Sequence, residues 1–149
     1  KGYKNYELEI VGGGNSAYIK RLIKKYKLTN QVKLIGTLPH PVGVFNWLDT
    51  IDLYLQPSRT EGLPRALIEA MSRGCVCIGS NVGEIPELLS LDNIHNPNDY
   101  TKLSELIIES SKLDKMKNRS VENFLKAKQY DKIVLDKKRY NFYNQVINN

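Results

Sequence analysis

Short apolar runs alternate with helix-spaced apolar positions over the first two thirds of the chain. Residues 6–12 (YELEIVG) read as a strand, and residues 16–28 (SAYIKRLIKKYKL) as a helix whose apolar stripe is Ile19, Leu22, Ile23 and Tyr26. A second strand is predicted at 32–36 (VKLIG), a short helix at 42–49 and a third strand at 51–57 (IDLYLQP). Residues 64–73 follow as a helix with Pro64 in its first turn, and 75–80 (CVCIGS) as a fourth strand. A short helix at 85–89 and a last strand at 91–94 complete the alternation. From Asp99 the pattern turns helical: Leu103, Leu106 and Ile107 share a face, and further helices are expected at 116–128 and 132–147.

Strands separated by helices predict an α/β fold, a doubly wound, Rossmann-like parallel sheet with helices on both faces. The helical tail closes that domain and does not found a second one, and neither a repeat nor a low-complexity linker interrupts it. Sheets of this kind bind ligands beyond the carboxyl ends of their strands. The turns at 12–15, 36–42, 57–63 and 80–84 each follow a strand, so they are the expected crevice.

Of the 149 residues 41% are apolar and 26% charged, which suits one domain with a real core. No apolar run approaches the ~20 residues that span a bilayer. The opening KGYKNYELEI resembles neither a signal peptide nor a transit peptide, so the expected location is the cytoplasm. The two cysteines, Cys75 and Cys77, read as reduced core residues, and with His40 and His95 they lack metal-site spacing. No metal or other cofactor is expected. The net charge of +6 concentrates in Lys20, Arg21, Lys24, Lys25 and Lys27, and again in Lys126, Lys128, Lys132, Lys137, Lys138 and Arg139. Solvated helix faces account for such runs, and peripheral attraction to anionic headgroups at the inner face of a membrane, or to a nucleic acid, is the alternative. The tyrosines do not recur with the basic residues as a nucleic-acid motif requires, so nucleic acid is not expected as a partner.

Two glycine-bearing turns and one glutamate pair carry candidate chemistry. Gly12, Gly13 and Gly14 stand between a strand and a helix, where bare backbone can approach a phosphate, but the triplet lacks the full G-x-G-x-x-G spacing and a tight strand-to-helix turn is the better explanation of it. Residues 57–74 (PSRTEGLPRALIEAMSRG) are more informative. Glu61 lies in the strand-to-helix loop and Glu69 in the helix itself, about 7.5 Å along the axis from Pro64. The amides at the helix start thus fall between two carboxylates. That arrangement suits a ligand with hydroxyls at both ends and a diphosphate between them, because carboxylates accept from vicinal hydroxyls and helix amides stabilise anions. Gly62 permits close approach of a ligand to the backbone, and Gly83 in SNVGEIPELL follows the next strand and should line the same crevice.

In order and spacing, IVGGG, LIGTLPH, IDLYLQPS, the Glu61 to Glu69 segment and CVCIGSNVGEIPELL resemble the family 4 glycosyltransferases of glycosyltransferase-B fold, whose nucleotide-binding domain carries a Glu-x7-Glu motif. The resemblance covers residues 6 to about 100. It implies a catalytic-site role for Glu61 at the transferred sugar and its leaving phosphate, and ribose binding by Glu69. Gly62, Leu63, Arg65, Gly13, Leu38 and Gly83 complete the donor-binding set it implies, with residues 36–40 beside the base. The implied reaction transfers a sugar from a nucleoside-diphosphate sugar to a glycan or lipid-linked acceptor, with retention of configuration and without an obligatory metal.

The resemblance also implies that residues 1–149 form the C-terminal, sugar-donor-binding domain, with the first strand-helix unit and the acceptor-binding domain outside this chain. Two expectations follow: the chain alone is inactive, and the strands near 7–11 and 52–56 flank a central position and do not pair. The pattern departs from the family at Gly83 and Glu84, where a second glycine is usual and a carboxylate stands instead. A sugar-nucleotide epimerase or hydrolase on the same scaffold, and a non-catalytic nucleotide- or partner-binding module, are the alternative readings.

Overall fold

The structure, a computed structural model, describes residues 6–148 in two compact units, one running to Val44 and the other starting at Phe45. The boundary falls inside helix α2 (Val42–Leu48).

In the first unit β1 (Leu8–Val11) and β2 (Val32–Gly36) run parallel, with Leu8 opposite Val32 and Ile10 opposite Leu34. Parallel strands need a crossover, and α1 (Ala17–Lys25) supplies it. Ile19, Leu22 and Ile23 are its half-buried positions, while Lys20, Arg21, Lys24 and Lys25 are exposed. The helix stops short of the predicted residue 28. Lys27 turns into the left-handed region (φ 56°), its N–H reaches the Lys24 carbonyl at 3.2 Å, and the Leu28 N–H reaches that of Ile23 at 2.9 Å. These two bonds form the Schellman cap that usually takes glycine at this position, so residues 26–28 terminate the helix and do not extend it. None of residues 6–44 is fully buried.

The second unit holds β3 (Leu53–Gln56), β4 (Val76–Ser80) and β5 (Ile94–His95), all parallel and in that spatial order. Every residue of β4 is buried. Helices α3 (Arg65–Ser72), α4 (Ile85–Leu88), α5 (Tyr100–Ser110) and α6 (Leu113–Ala127) all pack against it. A strand covered on both faces must be apolar throughout, which is why Val76, Cys77 and Ile78 stand consecutively. Leu67, Met71 and Ile85 close the core over them with no exposure. Gly79 admits α4 closely: a β-carbon there would lie 2.5 Å from Ile85 Cγ2.

Polar side chains tie the helical tail to this core. Asn123 Nδ2 donates to the Cys75 carbonyl at 3.0 Å, and Ser120 Oγ to that of Gly74 at 2.6 Å. The buried Arg119 guanidinium donates to Ser110 Oγ and reaches both the carbonyl and Oδ2 of Asp92 at 3.3 Å. Cys75 and Cys77 are free and buried. Burial raises both thiols, Cys75 to about 11, and keeps them protonated. The last helix, α7 (Lys132–Ile147), starts at Asp131, whose carboxylate accepts from the Ile133 N–H at 2.8 Å.

The fold class matches the α/β expectation, and several details differ from it. The strands divide between two sheets, β1-β2 and β3-β4-β5, and β1 and β3 do not pair among the described residues. Pro64 is the N-cap of α3, in extended backbone (φ −78°, ψ 91°), and not a first-turn residue. Residues 91–93 form a 3-10 turn, not a strand, and β5 begins only at Ile94. The Asn93 N–H bonds to the Ser90 carbonyl and Ser90 Oγ to Asp92, local bonds that compete with strand pairing.

Candidate functional site

The loop between β3 and α3 contains a hydrogen-bonded frame around Glu61. Tyr54 and Gln56 are two residues apart on β3 and therefore share a face of the strand. The Tyr54 hydroxyl donates to Gln56 Oε1 at 2.9 Å. That bond orients the amide so that Nε2 points onward, donating to Glu61 Oε1 at 2.7 Å and to Ser58 Oγ at 3.0 Å. Ser58 Oγ donates to the same Glu61 oxygen at 2.7 Å. Two donors on one carboxylate oxygen hold the side chain and leave Oε2 outside the frame.

The frame is itself held from β4. Ser80, fully buried at the carboxyl end of the strand, donates to the Ser58 carbonyl at 2.6 Å, with the Gln56 carbonyl at 3.3 Å. The turn after β4 then folds onto Glu61. Gly83 has φ 54°, and a β-carbon there would lie 2.2 Å from the Glu61 carbonyl oxygen. The Glu84 N–H bonds to the Gly62 carbonyl at 3.3 Å. Loops 57–63 and 80–84 are thus one assembly, at the strand ends where doubly wound sheets bind ligands.

Glu61 and Glu69 are both half-buried, Glu69 in the second turn of α3. Burial raises the Tyr54 phenol above its ordinary value, and the carboxylates of Glu69 and Glu61 add to the shift. The phenol therefore remains a hydrogen-bond donor, and both glutamates act electrostatically on that one group. Arg65 is the exposed first residue of α3, Leu63 is 43% exposed in the loop, and a β-carbon on Gly62 would meet no atom within 4 Å. Space thus remains open beside the Gly62 backbone.

Gly13 and Leu38 belong to the first unit. There the turn after β1 and the segment after β2 meet: the Gly12 N–H bonds to the Gly36 carbonyl at 2.8 Å, and a β-carbon on Gly13 would lie 3.1 Å from Thr37 Cγ2. Asn15 Oδ1 accepts from the Ala17 N–H at 2.9 Å and so occupies one donor at the start of α1. Leu38 is half-buried.

Tyr54, Gln56, Ser58 and Ser80 escaped the sequence reading. The available signal was polarity at Gln56, at the end of an otherwise apolar strand, two positions after a tyrosine. Among the described residues no group of three or more His, Cys, Asp or Glu side chains could hold a metal ion.

Parallel α/β sheets with loops gathered beyond their strand ends are the architecture of a glycosyltransferase domain of B fold. The chain belongs to the glycosyl transferases group 1 family, whose description matches residues 1–127. It is 35% identical to protein CapJ of Staphylococcus aureus over 97% of its own length and 34% of CapJ. It is 36% identical to the capsular polysaccharide biosynthesis glycosyltransferase CapH of the same organism over 56% of its length and 24% of CapH. The fold is that of HepE from Anabaena, a structure in complex with UDP and glucose (TM-score 0.83, 20% identity, 93% of this chain and 40% of HepE). The chain thus spans about a third of the length of CapJ and about a quarter of CapH.

Proposed function

We propose that this chain is the sugar-donor-binding part of an enzyme that transfers a hexose from a nucleoside-diphosphate sugar to a glycan or lipid-linked acceptor, with retention of configuration. The observation that carries the reading is the frame on Glu61: a carboxylate fixed through one oxygen by Gln56 and Ser58, beside open backbone at Gly62. A carboxylate whose position costs no reorganisation is suited to a sugar whose charge changes as its bond breaks. HepE, of the same fold, holds UDP and glucose, and CapH serves capsular polysaccharide synthesis.

In this reading Glu61 orients the transferred sugar and Glu69 accepts from the ribose hydroxyls. Gly62, Leu63, Arg65 and Gly83 line the diphosphate and sugar, and Gly13 and Leu38 contribute to the nucleotide. Backbone amides offset the diphosphate charge, so chelation of divalent metal leaves turnover unchanged. The enzyme works in the cytoplasm, with peripheral contact at the membrane, and residues 1–149 alone turn over no sugar because the acceptor site lies outside them.

Steady-state kinetics of the full enzyme against a panel of UDP- and GDP-sugars tests the assignment. Glu69→Gln loses a charge-assisted hydrogen bond of about 1.5–3 kcal/mol and raises the KM for the sugar donor roughly tenfold to a hundredfold with kcat nearly intact. Glu61→Gln lowers kcat instead, because it meets the sugar where the transition state differs from the ground state. Unchanged kcat and KM in both variants, with melts shifted by ~1 kcal/mol or less, leaves both glutamates only an electrostatic role at the helix start.

A further inference from the structure

One stretch of this chain carries basic residues and no acidic ones. Between Ile10 and Leu48 there is no aspartate or glutamate, and there are six cations: Lys20, Arg21, Lys24, Lys25, Lys27 and Lys33. The other sixteen basic residues equal the sixteen acidic ones in number, and among them residues 126–139 form a second cationic run that is interrupted by Asp131 and Asp136. Lys33 is neutralised locally, with Glu7 at 2.5 Å and Glu9 at 3.9 Å. The remaining five belong to α1 and its cap.

On a helix of about 100° per residue, Lys20, Arg21, Lys24 and Lys25 fall within an arc of roughly 140°, opposite Ile19, Leu22 and Ile23. All four are exposed, as is Lys27 beyond the helix end. Two tyrosines border the patch, Tyr18 at 62% and Tyr26 at 60% exposure. Arg21 stacks over the Tyr18 ring at 5.9 Å and Lys25 over the Tyr26 ring at 5.4 Å. Lys27 keeps its cation at a left-handed position better suited to glycine.

We propose that this face of α1 docks the enzyme on an anionic phospholipid surface. A convex face with five cations and no acid matches a plane of repeating phosphate charges, and exposed tyrosines suit headgroup depth, where an amphipathic ring meets both water and acyl chain. The same rings lie against cations and are not presented as a free platform for stacked bases, which favours lipid over single-stranded nucleic acid. No helix of the described residues is long and apolar enough to cross a membrane, so attachment through this face is peripheral. The inference does not depend on the roles proposed for Glu61 and Glu69.

Co-sedimentation of the full protein with phosphatidylcholine vesicles, with and without about one third phosphatidylglycerol, tests it. Wild type partitions onto the anionic vesicles and releases as salt rises, because exposed charges are screened. Lys20→Gln with Lys24→Gln lowers that partitioning roughly tenfold or more, whereas Lys20→Arg with Lys24→Arg retains it. Lys137→Gln with Lys138→Gln on α7 removes equal charge and leaves it within twofold of wild type. Equal partitioning of wild type and the Lys20/Lys24 glutamine variant overturns the proposal, and so does an equal loss in the α7 variant. Tighter binding to poly-U RNA than to anionic vesicles at the same salt also overturns it.

Discussion

Gly83 lies so close to Glu61 that a β-carbon at position 83 would stand 2.2 Å from the Glu61 carbonyl oxygen and 3.1 Å from its Cβ. The glycine presses the turn after β4 against the loop that carries the candidate catalytic glutamate. Its left-handed φ of 54° and this contact both exclude a side chain. Gly83→Ala must displace one loop from the other, at a cost of about 2 kcal/mol or more. Thermal melts record the loss, and kcat falls with it because Glu61 moves. An unchanged melting temperature shows that the two loops are not tightly joined.

Gln56 governs where the Glu61 carboxylate sits. Gln56→Leu removes a donor to Glu61 Oε1 and leaves the half-buried Tyr54 hydroxyl without its acceptor, which costs about 1–3 kcal/mol. Gln56→Glu is more diagnostic, since it sets a second carboxylate at hydrogen-bond distance from the first. Like charges repel where the amide had donated, so the Glu61 side chain is displaced from its frame and kcat falls by about tenfold or more. An unchanged kcat in Gln56→Glu separates Glu61 from the chemistry.

Lys27→Gly relieves the left-handed lysine that caps α1 and stabilises the fold by about 1 kcal/mol. The same change removes one of the five cations proposed to meet the membrane. A protein that melts higher yet partitions less onto anionic vesicles is the expected result, and a drop in melting temperature contradicts the cap geometry.

Asp92 has its carboxyl held below the ordinary range, first by the Ser90 hydroxyl and then by Arg119. A depressed folded-state value stabilises above the unfolded pKa, and that contribution is lost as pH falls through the lowered value. NMR titration of Asp92 therefore moves toward the ordinary range in Ser90→Ala and in Arg119→Met alike. Arg119→Met has a separate cost of about 1–3 kcal/mol at neutral pH, because the buried Ser110 hydroxyl loses its partner.

The α/β alternation was legible because periodicity reports which face of an element is buried. β2 falls at 32–36 as read, and the buried run of β4 announced a strand covered on both sides. The Glu61 loop was legible because spacing alone puts one carboxylate before a helix start and another inside it. Lys27 shows where such reading fails: Tyr26 continues the apolar stripe and the pattern carries the helix on to residue 28, but two capping bonds end it. The strand assigned to 91–94 failed similarly, since Ser90 and Asp92 bond locally and a pattern of apolar positions does not register that competition.

By itself the sequence determined the class of fold, the order of its elements, and the loop and helix on which the two glutamates stand, all properties of neighbours along the chain. Only the tertiary structure decided that Gln56 and Ser58 share one oxygen of Glu61, that Ser80 holds their carbonyls from the next strand, and that Gly83 is shaped by contact with Glu61. Ser80 and Gly83 come from the strand and turn on the far side of α3. Their partners are selected by packing across the sheet, where distance in sequence carries no information about distance in space.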